Sequence, residues 1–386
     1  MTVVHVVEPF ASGVTTAIIN IVQELKKVNH IVVHGSRSWV DSGDKVKDKF
    51  PPGTRFVSWK YAEREISPIR DALALGFLLA ILKKLNAPDL IVHLHSSKAG
   101  FLGRLACLLA GIRRVIYTPH GASFIRRDIG PWKRFLFRTL ERLGGLFSGV
   151  VVGCGRSEGE LYGSPGRPSL WVANGVAPSG SSPPVKKRFV CFAGIANHQK
   201  NPALFNAIAE AFGGDSPEGN SGFLWIGDGF LKSRLRAPNI AVTGWVSPGE
   251  VRALLEESLV YLSASGWEGL PYGVLEAMDA ACALVLSDVP GNRDVVEEGV
   301  NGYLYRESGE AAERLRELRA DRKKALAMGA ASRRIAEERF SLRQMGEAYY
   351  SIYCALLADK VPSPQAVSRD PFLDKTVYGT EKRGDR

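Results

Sequence analysis

Cysteine is scarce in this 386-residue chain, and the five present, Cys107, Cys154, Cys191, Cys282 and Cys354, are scattered, with no Cys-x-x-Cys pair and no clustering with histidine. A disulfide scaffold and a structural zinc site are therefore not expected, and a reducing compartment fits. No run of about 18 uncharged apolar residues occurs, which argues against a membrane span. The amino terminus, MTVVHVVEPFASG, carries neither a basic region nor a cleavage signal, so secretion is not expected either. Two further patterns are missing: an Asp-x-Asp metal pair, and a Gly-x-Gly-x-x-Gly after the first strand followed by an acidic residue at the right distance. The second gap sets aside a dinucleotide-dependent oxidoreductase.

Apolar material is plentiful: 45% of residues are hydrophobic against 23% charged, with mean hydropathy −0.05. This suffices for real cores, and two domains are expected at roughly 100–200 residues each. The net charge of +10 is unevenly spread, with 24 Lys+Arg against 13 Asp+Glu in residues 1–180 and 26 against 27 thereafter. Such a basic half attracts nucleic acid, an anionic membrane surface or a phosphorylated substrate, and composition does not choose among them.

Short Val/Ile-rich runs alternate with helical-period segments, which predicts an α/β protein with parallel sheets covered by helices. Strands are expected at 2–7, 30–34, 55–58, 90–93, 114–118 and 150–153, then at 189–194, 223–227, 240–243, 260–263 and 283–287. Helices are expected at 13–27, 69–85 and 97–110, then at 202–212, 248–256, 272–281 and through most of 310–359. That last segment breaks near Arg339-Phe340-Ser341, where Ser341 is placed to cap a final helix. The Pro/Ser/Gly cluster PSGSSPPVKKR at 178–188 reads as a linker. Two doubly wound domains, 1–180 and 181–340, then face a cleft that is the natural ligand site. A final helix at 341–359 is expected to pack back on the first domain, and 360–386 to be a polar, disordered tail.

The most informative stretch is SASGWEGLPYGVLEAM, residues 263–278. It leaves an apolar strand, turns through Gly266 and Gly269, and enters a helix with Pro271 expected near the first helical position. Loop amides meeting a helix amino terminus favour an anion, with phosphate the usual candidate. Glu268 on the loop and Glu276 within the helix are placed to face one pocket, as carboxylates that hold hydroxyls would. The plainer alternative is a solvated Glu268 and a first-turn Glu276 favoured by the helix dipole.

The run EGLPYGVLEAM followed by SDVPGNRDVVEEGVNGYLY strongly resembles the glutamate-pair signature of the group 1 (family 4) retaining glycosyltransferases of the GT-B fold, and the resemblance covers nearly the whole chain. FAGIANHQKNP is similar to their phosphate-binding loop, GFLWIGDG to their Gly-rich strand end, and TGWV to the segment that contacts the base. HLHSSKAG, YTPHGASF and VANGV resemble the sugar-transfer enzymes of bacterial capsular, exopolysaccharide or O-antigen assembly. The resemblance makes 1–180 the acceptor-side domain and 181–340 the nucleotide-sugar donor domain. It assigns Lys200 to the donor diphosphate, where a flexible cation follows charge on the leaving group, and Glu276 to the ribose hydroxyls. Glu268 and the Gly269, Leu270 and Pro271 backbone lie around sugar and phosphate, Pro271 having no N–H to give. Gly194 and Val246 belong to the donor side, and Gly13, opening the first helix, approaches the diphosphate across the cleft.

His120, in T-P-H-G after a strand, is implied to lie beside the transferred sugar and, with Glu268, to be catalytic; a lone His is otherwise more often structural. His95 and Ser96 are expected on the acceptor side, together with Ser97, which a capping role explains equally well. Three departures from the family pattern stand out: Ile195 where the phosphate loop often carries Arg, Ser12-Gly13 in place of a glycine pair, and Ala281-Cys282 where a small glycine often ends the helix.

The resemblance implies a retaining transferase that moves a hexose from a nucleotide diphosphate donor, UDP-linked in first preference, to a growing, lipid-linked bacterial surface glycan. Front-side displacement is expected, with the departing diphosphate oxygen assisting deprotonation of the acceptor. No metal and no cofactor are expected, because Lys200 and helix amino termini stand in for a cation. Alternatives are a GT-B-fold sugar-nucleotide epimerase and a noncatalytic sugar-nucleotide or glycan binder, the latter supported by Ile195.

Pro131 to Phe147 is amphipathic, with Trp132, Phe135, Leu136, Leu143 and Leu146 on one face and an Arg134, Arg138, Arg142 stripe elsewhere; Phe137 falls outside the apolar arc. It reads either as a core-packed helix with a solvated face or, with Arg126 and Arg127 nearby, as a docking face for an anionic membrane. A cytoplasmic protein, peripheral at the inner face of the membrane, is the corresponding expectation. Nucleic acid is not expected as a partner, since no recognised binding module or aromatic stacking pattern accompanies the charge.

Overall fold

The computed structural model describes residues 1–8, 10–35, 46–63, 66–147, 149–163, 170–178, 185–213, 222–360 and 362. Most of the expected linker (179–184) and of the expected tail (363–386) lies outside the described residues.

Two parallel sheets carry the chain. The first contains β1 (Thr2–Val7), β2 (Asn29–His34), β3 (Arg55–Ser58), β4 (Leu90–His95), β5 (Val115–Thr118), β6 (Val150–Gly153) and β7 (Leu170–Trp171), in the order 3-2-1-4-5-6-7. Its helices are α1 (Ser12–Glu24), α2 (Pro68–Leu85), α3 (Ser97–Leu109), α4 (Pro131–Phe147) and α5 (Arg156–Tyr162). The second contains β8 (Arg188–Ala193), β9 (Phe223–Ile226), β10 (Ile240–Val242), β11 (Ser258–Ser263), β12 (Ala283–Ser287) and β13 (Gly302–Tyr305), in the order 10-9-8-11-12-13. Around it run α6 (Pro202–Phe212), α7 (Pro248–Glu256), α8 (Tyr272–Asp279), α9 (Pro290–Arg293), α10 (Ser308–Ala320), α11 (Arg322–Arg339) and α12 (Leu342–Leu357).

The continuous apolar runs mark strands covered on both faces: all residues of β11 and of β12 are buried. Strand order reverses between β1 and β4 in one sheet and between β8 and β11 in the other, so each sheet opens a crevice at its switch point. The loops after β4, β8 and β11 carry Ser96, Lys200 and Glu268, and the loop after β1 leads into α1 at Ser12-Gly13.

Capping fixes several boundaries. Ser247 and Glu250 form a reciprocal capping box at the start of α7, and Ser341 with Gln344 does the same for α12. The helical run after residue 308 breaks at Asp321 as well as near 340, because the Asp321 carboxylate accepts the Lys324 N–H and starts a new helix. Helix α12 returns to the first sheet: Tyr349, Ile352 and Tyr353 pack with Val3, Ile91 and Ile116 in one core, and α12 runs along α1.

Four short elements, β7, β13, α5 and α9, escape the periodicity argument, since two to seven residues give it too few repeats. Pro271 occupies the N-cap of α8, one residue before the expected first helical position. Helix α1 ends at Glu24, not Lys27.

Helix α4 corrects the core-packed reading. Its apolar face points outward: Trp132 (68% exposed), Phe135, Leu143 and Leu146 are all exposed, while Glu141 and Gly144 are buried. The cause is a buried ion pair. Arg104 of α3, 1% exposed, donates from Nη2 to Glu141 Oε2 (3.0 Å) and from Nε to the Gly100 carbonyl (2.7 Å). Tyr117 of β5 donates its hydroxyl to Glu141 Oε1 at 2.7 Å. The guanidinium lies so close to Gly144 that a Cβ there would meet it at 2.4 Å.

Candidate active site between the two sheets

The second sheet builds the pocket around Lys200 and Glu268. After β8 the chain turns through Gly194 and reaches Lys200, whose N–H donates to Asn197 Oδ1, before Asn201 caps α6 by accepting from the Leu204 N–H. Lys200 Nζ then contacts Glu268 Oε1 at 2.5 Å, while Gln199 Nε2 donates to Glu268 Oε2 and to the Trp267 carbonyl, both at 3.1 Å. Glu268 is 4% exposed, so it is not a solvated loop residue; it is a buried carboxylate held by one cation and one amide. The Gly194 carbonyl accepts from Trp225 Nε1 (3.1 Å), which ties the phosphate-loop segment to the Gly-rich end of β9.

Glu276 lies in the second turn of α8, which has no acidic residue in its first turn, so a simple dipole role is ruled out. Its side chain is exposed, yet the surrounding protein atoms crowd its carboxyl and weaken its hydration. That desolvation raises its pKa to about 7, opposed by Arg252 and reinforced by Asp279. Val246 packs against the edge of the second core while its neighbour Trp245 is exposed.

The first sheet brings its own helix starts to the same place. Neither α1 (N-cap Ala11) nor α8 (N-cap Pro271) has a side-chain cap, and a Cβ on Gly13 would stand 3.5 Å from Tyr272 Cδ2. Two uncapped helix amino termini from the two sheets thus converge, a doubled version of the usual anion-binding end. The left-handed backbone at this turn falls on Ser12 (φ 58°) and not on Gly13, so the residue replacing the first glycine bears the strained conformation.

Gly269 packs directly against the first half. A Cβ there would meet Cys154 Sγ at 2.7 Å and the Gly121 amide nitrogen at 2.8 Å. Around it sit residues that sequence reasoning missed. Glu158, 1% exposed, accepts from the Gly121 N–H (2.5 Å) and the Cys154 N–H (2.8 Å), and its carboxyl is pushed up by burial. Asn174 donates to the Leu270 carbonyl at 2.8 Å. Asp294, lifted to about 6 by burial, accepts from the Ser157 N–H and hydroxyl across the interface. Asn174 lay inside the quoted VANGV motif, Gln199 inside FAGIANHQKNP and Asp294 inside SDVPGNRDVVEEGVNGYLY, without being singled out; Glu158 had no signal beyond its type.

His120 stands beside this contact, with Nε2 3.0 Å from His95 Nδ1. The acceptor-side expectation fails for His95: it is fully buried, and both ring nitrogens are engaged, by His120 and by His5 (3.1 Å). Ser96 is the N-cap of α3 with φ 71° and no capping hydrogen bond, its Oγ buried without a partner, so neither it nor Ser97 serves as a side-chain cap. A cavity of about 600 Å³ adjoins the site, lined among others by Arg127, His198, Trp267, Asp288 and Arg306; it borders the expected site residues without including them.

Two facing doubly wound domains with the site between them define the GT-B class. A family model of "Glycosyl transferases group 1" matches residues 230–335, and one of "Glycosyltransferase Family 4" matches residues 11–177. The chain belongs to the group 1 glycosyltransferases. It is 29% identical over 273 residues, 62% of this chain and 68% of the relative, to the Escherichia coli UDP-Gal:alpha-D-GlcNAc-diphosphoundecaprenol alpha-1,3-galactosyltransferase. It is 28% identical over 333 residues, 72% and 83% respectively, to alpha-maltose-1-phosphate synthase of Mycolicibacterium smegmatis. Among solved structures, Anabaena HepE in complex with UDP and glucose superposes with a TM-score of 0.72 at 15% identity, covering 91% of this chain and 98% of that one.

Proposed function

We propose that this glycosyltransferase transfers a hexose, with retention, from a UDP-sugar to a lipid-linked glycan precursor. The observation that carries the proposal is the convergence of two uncapped helix amino termini beside the Lys200–Glu268 pair. In this reading the diphosphate takes the helix ends and Lys200, the ribose hydroxyls take Glu276, and His120 and Glu268 bracket the sugar. Lys200 leaves Glu268 for the phosphate as the donor enters, freeing the carboxylate for sugar hydroxyls, a swap that conserves charge pairing. No metal takes part, since backbone dipoles and one lysine balance the leaving diphosphate. The galactosyltransferase relative names a lipid diphosphate acceptor, and the exposed apolar face of α4 with Lys133, Arg134, Arg138 and Arg142 gives this chain a means of reaching one at the inner membrane surface.

The first test is thermal stabilisation in EDTA by UDP, GDP, their sugar conjugates and NAD. Stabilisation of about 2.7 kcal/mol at 100 times Kd is expected for one nucleotide family and not for NAD. No shift with any nucleotide, for a folded protein, would promote the noncatalytic reading that Ile195 supports. NMR of the transferred anomer then tests retention.

A further inference from the structure

Five of the seven histidines in the sequence, His5, His30, His93, His95 and His120, meet beneath α1 and α12 on the first sheet and its β5 loop. Four of them form one line of contacts. The Leu25 carbonyl, at the C-cap of α1, lies 3.1 Å from His30 Nε2; His30 Nδ1 lies 3.1 Å from His5 Nε2; His5 Nδ1 lies 3.1 Å from His95 Nε2; and His95 Nδ1 lies 3.0 Å from His120 Nε2.

A carbonyl only accepts, so His30 Nε2 carries its proton. His5, His30 and His95 are buried and His120 is half-buried, and all four rings are neutral: burial lowers His5 and His95 well below the usual histidine range, lowers His30, and takes His120 down to about 3. A neutral ring with Nε2–H has a bare Nδ1, which must accept from the next ring. The same assignment therefore propagates from His30 to His5, from His5 to His95, and from His95 to His120. The chain ends with Nδ1 of His120 bare and without a partner among the described residues, one residue from the Gly121–Gly269 contact.

We propose that His30, His5 and His95 are positioning residues for His120, and that the Leu25 carbonyl, through them, fixes His120 as a hydrogen-bond acceptor toward the cleft. This rests on the donor-site reading only for what His120 meets, a sugar hydroxyl; the direction of the chain stands apart from it. His93 braces the line from the side. Its ring centroid is 4.0 Å from that of His95, and its own nitrogens are taken by the Tyr353 hydroxyl of α12 (2.8 Å) and the Thr118 hydroxyl (3.0 Å). The ring nitrogens of His5, His93 and His95 also approach within 4.8 Å of one another, a spacing that a metal ion could exploit. Each of those rings already has both nitrogens hydrogen-bonded, so a metal would have to break the line, which makes it the competing outcome.

The test is long-range proton–nitrogen NMR on the full chain labelled with 15N-histidine, near pH 7 and without nucleotide, with assignment by single His→Gln variants. Neutral Nε2–H signatures for His30, His5, His95 and His120 are expected. H30L removes the acceptor that orients His5, together with its tie to the Leu25 carbonyl, and should turn His120 into a tautomer mixture, with UDP-sugar affinity weakened on the order of fivefold, the worth of one hydrogen bond. H30Q supplies a donor at one end and an acceptor at the other, and should restore both readouts. If H30L does not fold, the wild-type spectrum decides alone. An Nδ1–H or charged ring in the line, or tight one-to-one zinc or cobalt binding lost in H93Q, overturns the proposal. If no UDP-sugar perturbs His120 while the pattern holds, the donor reading fails and the chain stands.

Discussion

At the scale of single residues, the site is governed by how much water each carboxylate keeps. Glu268 is buried and matched by Lys200 and Gln199, whereas the Glu276 side chain is exposed and titrates near 7. Only the ionised form of Glu276 accepts from two ribose hydroxyls, so UDP-sugar affinity should rise between pH 6 and 8, up to about tenfold as the ionised fraction grows. In E276Q this rise disappears, and calorimetric titration at three pH values measures it. The stability of the apo protein should follow the opposite trend. The folded state binds the extra proton between the unfolded glutamate pKa and about 7, so the Glu276 contribution to stability is greatest below that window and is lost as pH rises through it. Lys200→Ala should cost donor affinity and turnover together while leaving a folded chain, because its side chain is partly exposed and its loop is held by Asn197 and Asn201. Glu268 and Glu276 stood out from the order of glycines and charges after a strand, and Lys200 from the resemblance of its loop. Glu158 and the bond of Gln199 to Glu268 did not, because they hold backbone and side-chain groups that only folding brings near.

At the scale of elements, α4 shows how a single buried pair overrules amphipathic pattern. Hydrophobic periodicity alone turns Trp132, Phe135, Leu143 and Leu146 inward, yet Glu141 must stay with Arg104 and Tyr117, and the helix rotates to keep it there. Removing one member of a buried ion pair typically costs about 3–5 kcal/mol. E141A should lose stability on that scale in urea unfolding, and G144A should do so by pressing on the guanidinium. The paired change R104L/E141L should recover much of the loss, since it removes both charges from the interior. Where the sequence carries its own stop signals, boundaries match closely: Ser341 caps α12 through the expected geometry, and Pro202 and Pro248 open their helices.

At the scale of the whole molecule, the exposed face of α4 and the cleft are the two surfaces that the proposed function uses. Full-length protein should co-float with phosphatidylglycerol-rich vesicles and not with purely zwitterionic ones, and added salt should weaken the attachment. Replacing Arg134, Arg138 and Arg142 with Glu should abolish flotation while leaving UDP-sugar binding unchanged, since these residues are remote from Lys200 and Glu276 in chain and lie on an exposed helix face. Flotation that survives the triple change would remove the membrane role from this helix. The sequence by itself determined the α/β class, the family and which residues stand on the loops after β8 and β11, because those depend on local periodicity, turn chemistry and short spacings. Only the tertiary structure decided which way α4 faces, that His95 is a buried link and not a cleft residue, and that Ser12 carries the strained turn. Each of these depends on partners 24 to 90 residues away, or on a backbone conformation that residue types leave open, and only the packed chain sets those.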